Sequence, residues 1–307
     1  MTKTVDIDNI AIDVCICTFR RAHVADTIRS VSRLLLRPGW KVNIIVADND
    51  VAPSAIRTVE AVAGEIDLDV TYIHAPASNI SVARNACLDA ATAPLAAFVD
   101  DDELVTPGWL GAMILAMENS DADVMLGPVS AVYDSICPTW IRKGDFHSTH
   151  PVVAGGEIRT GYSGNVVMRR LSPPVAGMRF RHDLGQGGED TAFFSSIHRT
   201  GGVIGYAPAA VITEEVPRER ATLKWLLKRY FRTGQTHAIL LMEETSAAFA
   251  NRARNIGAAA AKSLFCLCMT LPNAIRIDRM AYWLLRGTMH AGVVSTLALR
   301  PSLANSA

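Results

Sequence analysis

The chain has 307 residues; half are hydrophobic, a fifth are charged, and 30 Lys plus Arg balance 30 Asp plus Glu. That composition excludes a disordered chain, a collagen-like repeat and a disulfide-dense secreted module. The neutral total hides a polarity: residues 1–217 hold 17 Lys/Arg against 26 Asp/Glu, whereas residues 218–307 hold 13 against 4. An acidic front suits metal chemistry, and a basic tail suits anions such as phosphates, acidic lipids or nucleic acid. Mean hydropathy of +0.20 is high for a soluble enzyme of this size and suggests apolar surface that meets lipid or a partner. The stretch Met1–Asn9 is polar and lacks the apolar core of a signal peptide.

In chain order, Asp13–Thr18 reads as a buried strand, followed by a helix over 25–36 that Pro38-Gly39 stops. Val42–Ala47 is a second strand running into Asp48-Asn49-Asp50. A helix over 54–63, a strand over 69–73 and a helix over 80–91 come next. Leu95–Val99 is a fourth strand and ends in Asp100-Asp101-Asp102-Glu103; 109–117 is helical. Alternating strands and helices at this pitch predict a doubly wound, mostly parallel sheet. Ligands bind such sheets at the carboxyl ends of the strands. Thr18, Asp48, Asp50 and Asp100 to Asp102 therefore share one rim.

Beyond 123 the pattern loosens. Val124–Val129 predicts one strand and 134–160 a loop, in which His147 and His150 are expected to face solvent. Gly164–Met168 predicts another strand, and a glycine-rich loop over 185–190 leads into a helix over 190–200. The remainder predicts a basic helix over 222–233 and apolar helices over 235–243, 256–270 and 280–298. This divides the chain into a catalytic domain, 1–217, and a basic, apolar helical extension, 218–307. None of the six cysteines forms a C-x-x-C pair; Cys15 and Cys17 read as small core residues, which fits a reducing cytoplasm.

Four consecutive carboxylates at a strand end repel one another unless a cation sits among them, and hard divalent cations take oxygen ligands. The pieces Val14–Arg20, Val46–Asn49, Ser81–Ala86, Phe98–Asp102 and Gly188-Glu189-Asp190 follow one another in a fixed order. In that order they resemble the family-2 inverting glycosyltransferases with the GT-A nucleotide-sugar fold, and among them bacterial exopolysaccharide transferases of the succinoglycan type.

The resemblance implies Mg²⁺ or Mn²⁺ and a UDP-sugar donor such as UDP-glucose. Thr18 and Arg20 would line the nucleotide pocket, and Asp48 would bond the base or ribose. Arg84 would sit near the phosphates or donor sugar. Asp100, with Asp101 beside it, would meet ribose or sugar, and Asp102 would hold the metal. Asn165 would lie near the acceptor or donor sugar. Asp190 would be the general base, with Glu189 shaping the site, because an attacking hydroxyl must lose its proton as the bond forms. Many relatives carry a metal-binding His after the last core strand; here Val211–Pro217 has none, and Glu215 takes that place. Arg229 and Arg232 would close over the diphosphate.

The basic, apolar tail points to a membrane surface, a lipid-linked saccharide acceptor and a site on the cytoplasmic face of a bacterial inner membrane. No nucleic-acid motif is present. A nucleotidyltransferase and a non-catalytic sugar-binding or assembly subunit are the competing readings.

Overall fold

A computed structural model describes residues 8–185, 187–244 and 249–299. The reading of Met1–Asn9 thus lies almost wholly outside the described residues. The strands are β1 (Ala11–Thr18), β2 (Lys41–Asp48), β3 (Asp69–His74), β4 (Leu95–Asp100), β5 (Glu103–Val105), β6 (Val124–Leu126), β7 (Val129–Tyr133), β8 (Val153–Ala154), β9 (Glu157–Ile158), β10 (Asn165–Arg169), β11 (Ile204–Tyr206) and β12 (Ile212–Val216). The helices are α1 (Val24–Ser32), α2 (Ile56–Ala63), α3 (Ile80–Ala90), α4 (Trp109–Glu118), α5 (Thr139–Gly144), α6 (Glu189–Arg199), α7 (Leu223–Glu244), α8 (Phe249–Thr270) and α9 (Ile277–Leu299).

The central sheet has seven strands in the order β11-β6-β10-β4-β1-β2-β3. β4, β1, β2 and β3 are parallel, and β10 runs antiparallel to both β4 and β6. Both faces of the sheet are covered, which is why the strands read as continuous apolar runs rather than alternating ones. Along β1, Ile12, Val14 and Ile16 pack with α1 and α4, while Cys15 and Cys17 pack on the other face with α3 and α6. The chain steps outward from β1 to β2 to β3, then returns to place β4 on the other side of β1. The gap between β1 and β4 is the topological switch point, where such sheets open a crevice for ligands.

The structure corrects several expected elements. α1 stops at Ser32, because the next residues turn and the Leu35 N–H donates to the Pro107 carbonyl instead (2.9 Å). Gly127-Pro128 breaks Val124–Val129 into the end of β6 and the start of β7; a Cβ at residue 127 would fall on the Ala210 carbonyl oxygen. The stretch 134–160 is not a plain loop, since it holds α5 and the short β8–β9 hairpin.

The basic helix and the first apolar helix are one continuous α7. Gly234 does not interrupt it, because its bare Cα serves a helix crossing. A Cβ there would strike the Met289 carbonyl of α9, and one at Gly292 of α9 would strike the Phe231 carbonyl of α7. Gly234→Ala is therefore expected to force the two helices apart at a cost of about 2 kcal/mol. Thermal unfolding checks this; an unchanged Tm contradicts so close a crossing.

The chain forms two compact units, one made of 1–132 and 148–215 and the other of 133–147 and 216–307. In the second unit, α9 packs against α5, α7 and α8. His147 also belongs there and is buried rather than solvent-facing. Its ring stacks on Trp225 at 5.2 Å, and its Nε2 lies 3.1 Å from the Arg220 carbonyl.

Candidate active site

Strand register builds the rim. Thr18 at the end of β1 pairs with Asp48 at the end of β2, and Cys17 pairs with Asp100 at the end of β4. The carboxyl ends are thus level, and the first acidic residues fall at the switch point. The Thr18 hydroxyl donates to Asp101 Oδ2 across it (2.7 Å).

The acidic run after β4 has counter-ions from two directions. Arg21 pairs through Nη1 with Asp101 Oδ1 (2.9 Å) and with Asp102 Oδ2. Arg20 just before it takes a left-handed conformation, φ 56°. From α3 comes Arg84, a buried guanidinium paired with Glu189 and 3.5 Å from Asp100 Oδ1. Asn79 caps that helix by accepting from the Ser81 N–H. Arg84 also lies over the Phe180 ring at 5.4 Å, and Phe180 stacks on Phe193 at 4.1 Å. Burial lowers the Arg84 value, but Asp100 and Glu189 outweigh it and hold Arg84 charged.

Glu189 and Asp190 open α6 after Gly188, whose φ of 94° suits a residue without a Cβ. A helix N-terminus favours negative charge. Glu189 is buried against Arg84, and its Oε2 is enclosed without a hydrogen-bond partner among the described residues. Asp190 is partly open; its Oδ1 accepts from the Thr191 N–H (2.6 Å) and hydroxyl (3.2 Å). Asp190 lies close enough to Asp100 to raise that carboxyl's pKa.

Six carboxylates therefore face two guanidiniums here. Burial pushes Asp101 up to about 6. Burial also raises Asp100, Glu103 and Glu189, with neighbouring carboxylates adding to each. Glu103 sits beneath the rim, accepts the Asp100 N–H through Oε2 (2.9 Å), and leaves space only for the bare Cα of Gly164.

Such a site has a standing excess of negative charge, and its donors are hard oxygens. Among the described residues no three His, Cys, Asp or Glu side chains are grouped to enclose a metal. Asp100 and Asp102 can contribute two donors, and a bound diphosphate would complete the shell. That arrangement fits Mg²⁺ or Mn²⁺, which commonly combine one or two carboxylates with substrate phosphates.

Asp48, Arg20 and Asn165 do not join this cluster of charges. Asp48 is fully buried, and its oxygens accept from Asp50 N–H (3.0 Å), Ala55 N–H (2.8 Å) and the Tyr72 hydroxyl (2.9 Å). It organises the loop after β2 instead of presenting an acceptor to a base. Arg20 turns outward and pairs with Asp50 (2.8 Å). Asn165 is buried and touches no open surface. Its Oδ1 accepts from Trp109 Nε1 (2.8 Å), and its Nδ2 donates to the carbonyls of Pro128 (2.9 Å) and Ala210 (2.8 Å). It is a cross-tie of the core, not a sugar contact.

Glu215 is exposed on β12, where the residue in register with Glu103 is its neighbour Glu214. Arg229 and Arg232 belong to α7 in the second unit; Arg229 lies over Trp225 at 5.4 Å and its Nη1 reaches the His147 carbonyl at 3.5 Å, while Arg232 is exposed. Arg21 and Phe180 were not expected. Arg21 follows a strand end level with the acidic rim, a position that could have marked it; nothing local marks Phe180, which α3 and α6 bring in from a distance.

Residues 13–172 match the sequence model of the family described as Glycosyl transferase family 2. The chain belongs to that family. Like other members it is a glycosyltransferase, which removes the nucleotidyltransferase and binding-subunit readings. The succinoglycan biosynthesis protein ExoM of Rhizobium meliloti (strain 1021) is similar, at 46% identity over 294 residues that cover 94% of each chain. Among solved structures, the mannosyltransferase PcManGT of Pyrobaculum calidifontis, in complex with GDP-Man and Mn²⁺, superposes with a TM-score of 0.64 at 17% identity. That match covers 97% of this chain and 90% of that one. TarS 1–349 of S. aureus, in complex with UDP-GlcNAc, superposes at 0.54 with 14% identity over 92% of both chains. The mixed sheet with its carboxylate rim is the family's GT-A fold.

Proposed function

We propose that this family-2 enzyme is a metal-dependent, inverting transferase that moves a sugar from a UDP-sugar to a saccharide acceptor in exopolysaccharide synthesis of the succinoglycan type. One observation carries the reading: Arg84 ties the acidic end of β4 to the Glu189-Asp190 pair at the start of α6. A carboxylate suited to take a proton thus stands beside the group that would hold a diphosphate. The similarity to ExoM supports the pathway, and UDP-glucose is the donor to try first.

In this mechanism Asp190 accepts the proton of the acceptor hydroxyl as it attacks the anomeric carbon from the face opposite the leaving nucleotide. The bond to the diphosphate oxygen breaks as the new glycosidic bond forms, so the configuration inverts. Glu189 fixes Arg84, and Arg84 offers a permanent positive charge to the phosphates or donor sugar. Asp102, with Asp100 beside it, would hold the cation, which when bound supplies positive charge to the leaving diphosphate. The acceptor is lipid-linked and the enzyme works at the cytoplasmic face of the inner membrane; the basic, apolar character of 218–307 supports this.

Incubation with a panel of UDP-sugars and a lipid-linked acceptor, with NMR of the product anomer, tests the reading. Transfer with inversion supports it; retention, or transfer indifferent to EDTA, contradicts it.

The pH dependence follows from Glu189. Its raised pKa means that the carboxylate takes up a proton at a higher pH than an exposed glutamate, and protonation cancels its pairing with Arg84. Turnover is expected to fall as pH drops through that value, so the acid limb of the kcat profile lies above the ordinary carboxylate range. For stability the sign is opposite: burying the charge opposes folding at neutral pH, and the opposition is relieved as pH falls through the folded-state value. A kcat profile flat down to the ordinary carboxylate range contradicts this assignment.

A further inference from the structure

The corner between α8 and α9 concentrates exposed apolar side chains. Leu264, Phe265 and Leu267 on α8, Leu271 and Ile275 in the turn, and Ile277 at the start of α9 are all exposed, Ile275 to 98%. Large exposed apolar residues scattered singly need no explanation, but a contiguous patch marks an interaction surface. The same two helices and their turn are basic: Lys262 on α8, Arg276 in the turn, and Arg279 and Arg286 on α9 are exposed.

Asp278 is the one acid between residues 249 and 299, and it is mostly buried and paired with Arg276 (3.5 Å). Tyr282 and Trp283 stand beside the patch, with Phe265 edge-on to Trp283 at 5.8 Å. Arg286 donates to the Tyr282 hydroxyl (2.7 Å).

No described helix is long and apolar enough to cross a membrane. An apolar tip with an aromatic flank on basic helices matches a segment that lies in the interface and meets anionic headgroups. A second copy of the chain fits poorly, since facing patches would press like charges together.

We propose that the α8–α9 corner is a lipid-binding surface. Its apolar tip enters an anionic bilayer, and Lys262, Arg276, Arg279 and Arg286 meet the headgroup phosphates. This rests on the membrane part of the proposed function and is independent of the transfer chemistry.

The test is co-sedimentation of the full-length protein with sucrose-loaded vesicles, without nucleotide or metal. Pure phosphatidylcholine vesicles are compared with vesicles that also contain phosphatidylglycerol. The protein is expected to pellet with the anionic vesicles, and high salt should release it. Leu271→Asp combined with Ile275→Asp should cut partitioning at least ~10-fold, and Arg279→Gln about fivefold. These side chains are exposed, so Tm should hold, and uridine nucleotide affinity serves as a second control. Failure of the native protein to bind anionic vesicles overturns the proposal, as does equal binding by the Leu271/Ile275 variant. So does a native dimer that the variant dissociates without any vesicle binding. A protein that pellets with anionic vesicles yet binds no uridine nucleotide keeps this proposal and removes the UDP-sugar reading.

Discussion

Asp190→Asn is expected to lower turnover by about three orders of magnitude, within the ~10² to 10⁴ range of a lost general base. Nucleotide-sugar affinity should change little, because the substitution keeps size and polarity and removes only proton acceptance. The structure separates this residue from its neighbour. Asp190 is partly open, and among the described residues its Oδ1 bonds Thr191, next to it in the chain. Glu189 is spent on Arg84. Glu189→Gln should therefore weaken donor binding as well as turnover, because it removes the carboxylate paired with the buried Arg84 charge. Single-turnover rates beside donor affinities make the distinction. Equal loss of turnover and affinity in Asp190→Asn would place that residue in binding instead.

The second large effect is on stability. Asn165→Asp is expected to cost ~4 kcal/mol or more. Three buried groups, the Trp109 N–H and the carbonyls of Pro128 and Ala210, depend on that one amide. An unmade buried hydrogen bond costs about 1–3 kcal/mol, and an aspartate puts acceptor oxygen against two carbonyl oxygens. Against a total of roughly 5–15 kcal/mol, that is a large fraction. Denaturant unfolding of Asn165→Ala and Asn165→Asp measures it. The cross-tie account requires a large fall in midpoint with unchanged donor KM in the surviving folded protein. A raised KM with an unchanged midpoint would return Asn165 to the sugar site.

Long periodic elements were legible, and short ones were not. β1, β2 and β4 announce themselves as apolar runs because both faces of the sheet are covered, and their acidic ends follow. β5 and β11 span three residues each, too few for a period to register. Gly234 looks like a helix break until α9 is packed against it, since a glycine's role in a crossing is written in the partner helix. At the site, Asp100 to Asp102, Arg84, Glu189 and Asp190 come together because each follows a strand end or opens a helix on the rim. Asn165 also sits at the rim end of its strand, but its amide points into the core, and a single residue's direction is decided by packing. Asp48 shows the same limit: a carboxylate at the right strand end is consumed by the Ala55 N–H and the Tyr72 hydroxyl, 7 and 24 residues away.

The measurement that bears most directly on the central claim is calorimetric titration of the full-length protein with UDP and UDP-sugars, in Mn²⁺ or Mg²⁺ and then in EDTA, beside Asp102→Ala. The account predicts nucleotide binding that needs the divalent cation and is lost in Asp102→Ala while the fold, judged by Tm, is kept. Nucleotide binding indifferent to EDTA and to Asp102→Ala, or no binding by a correctly folded protein, would contradict it.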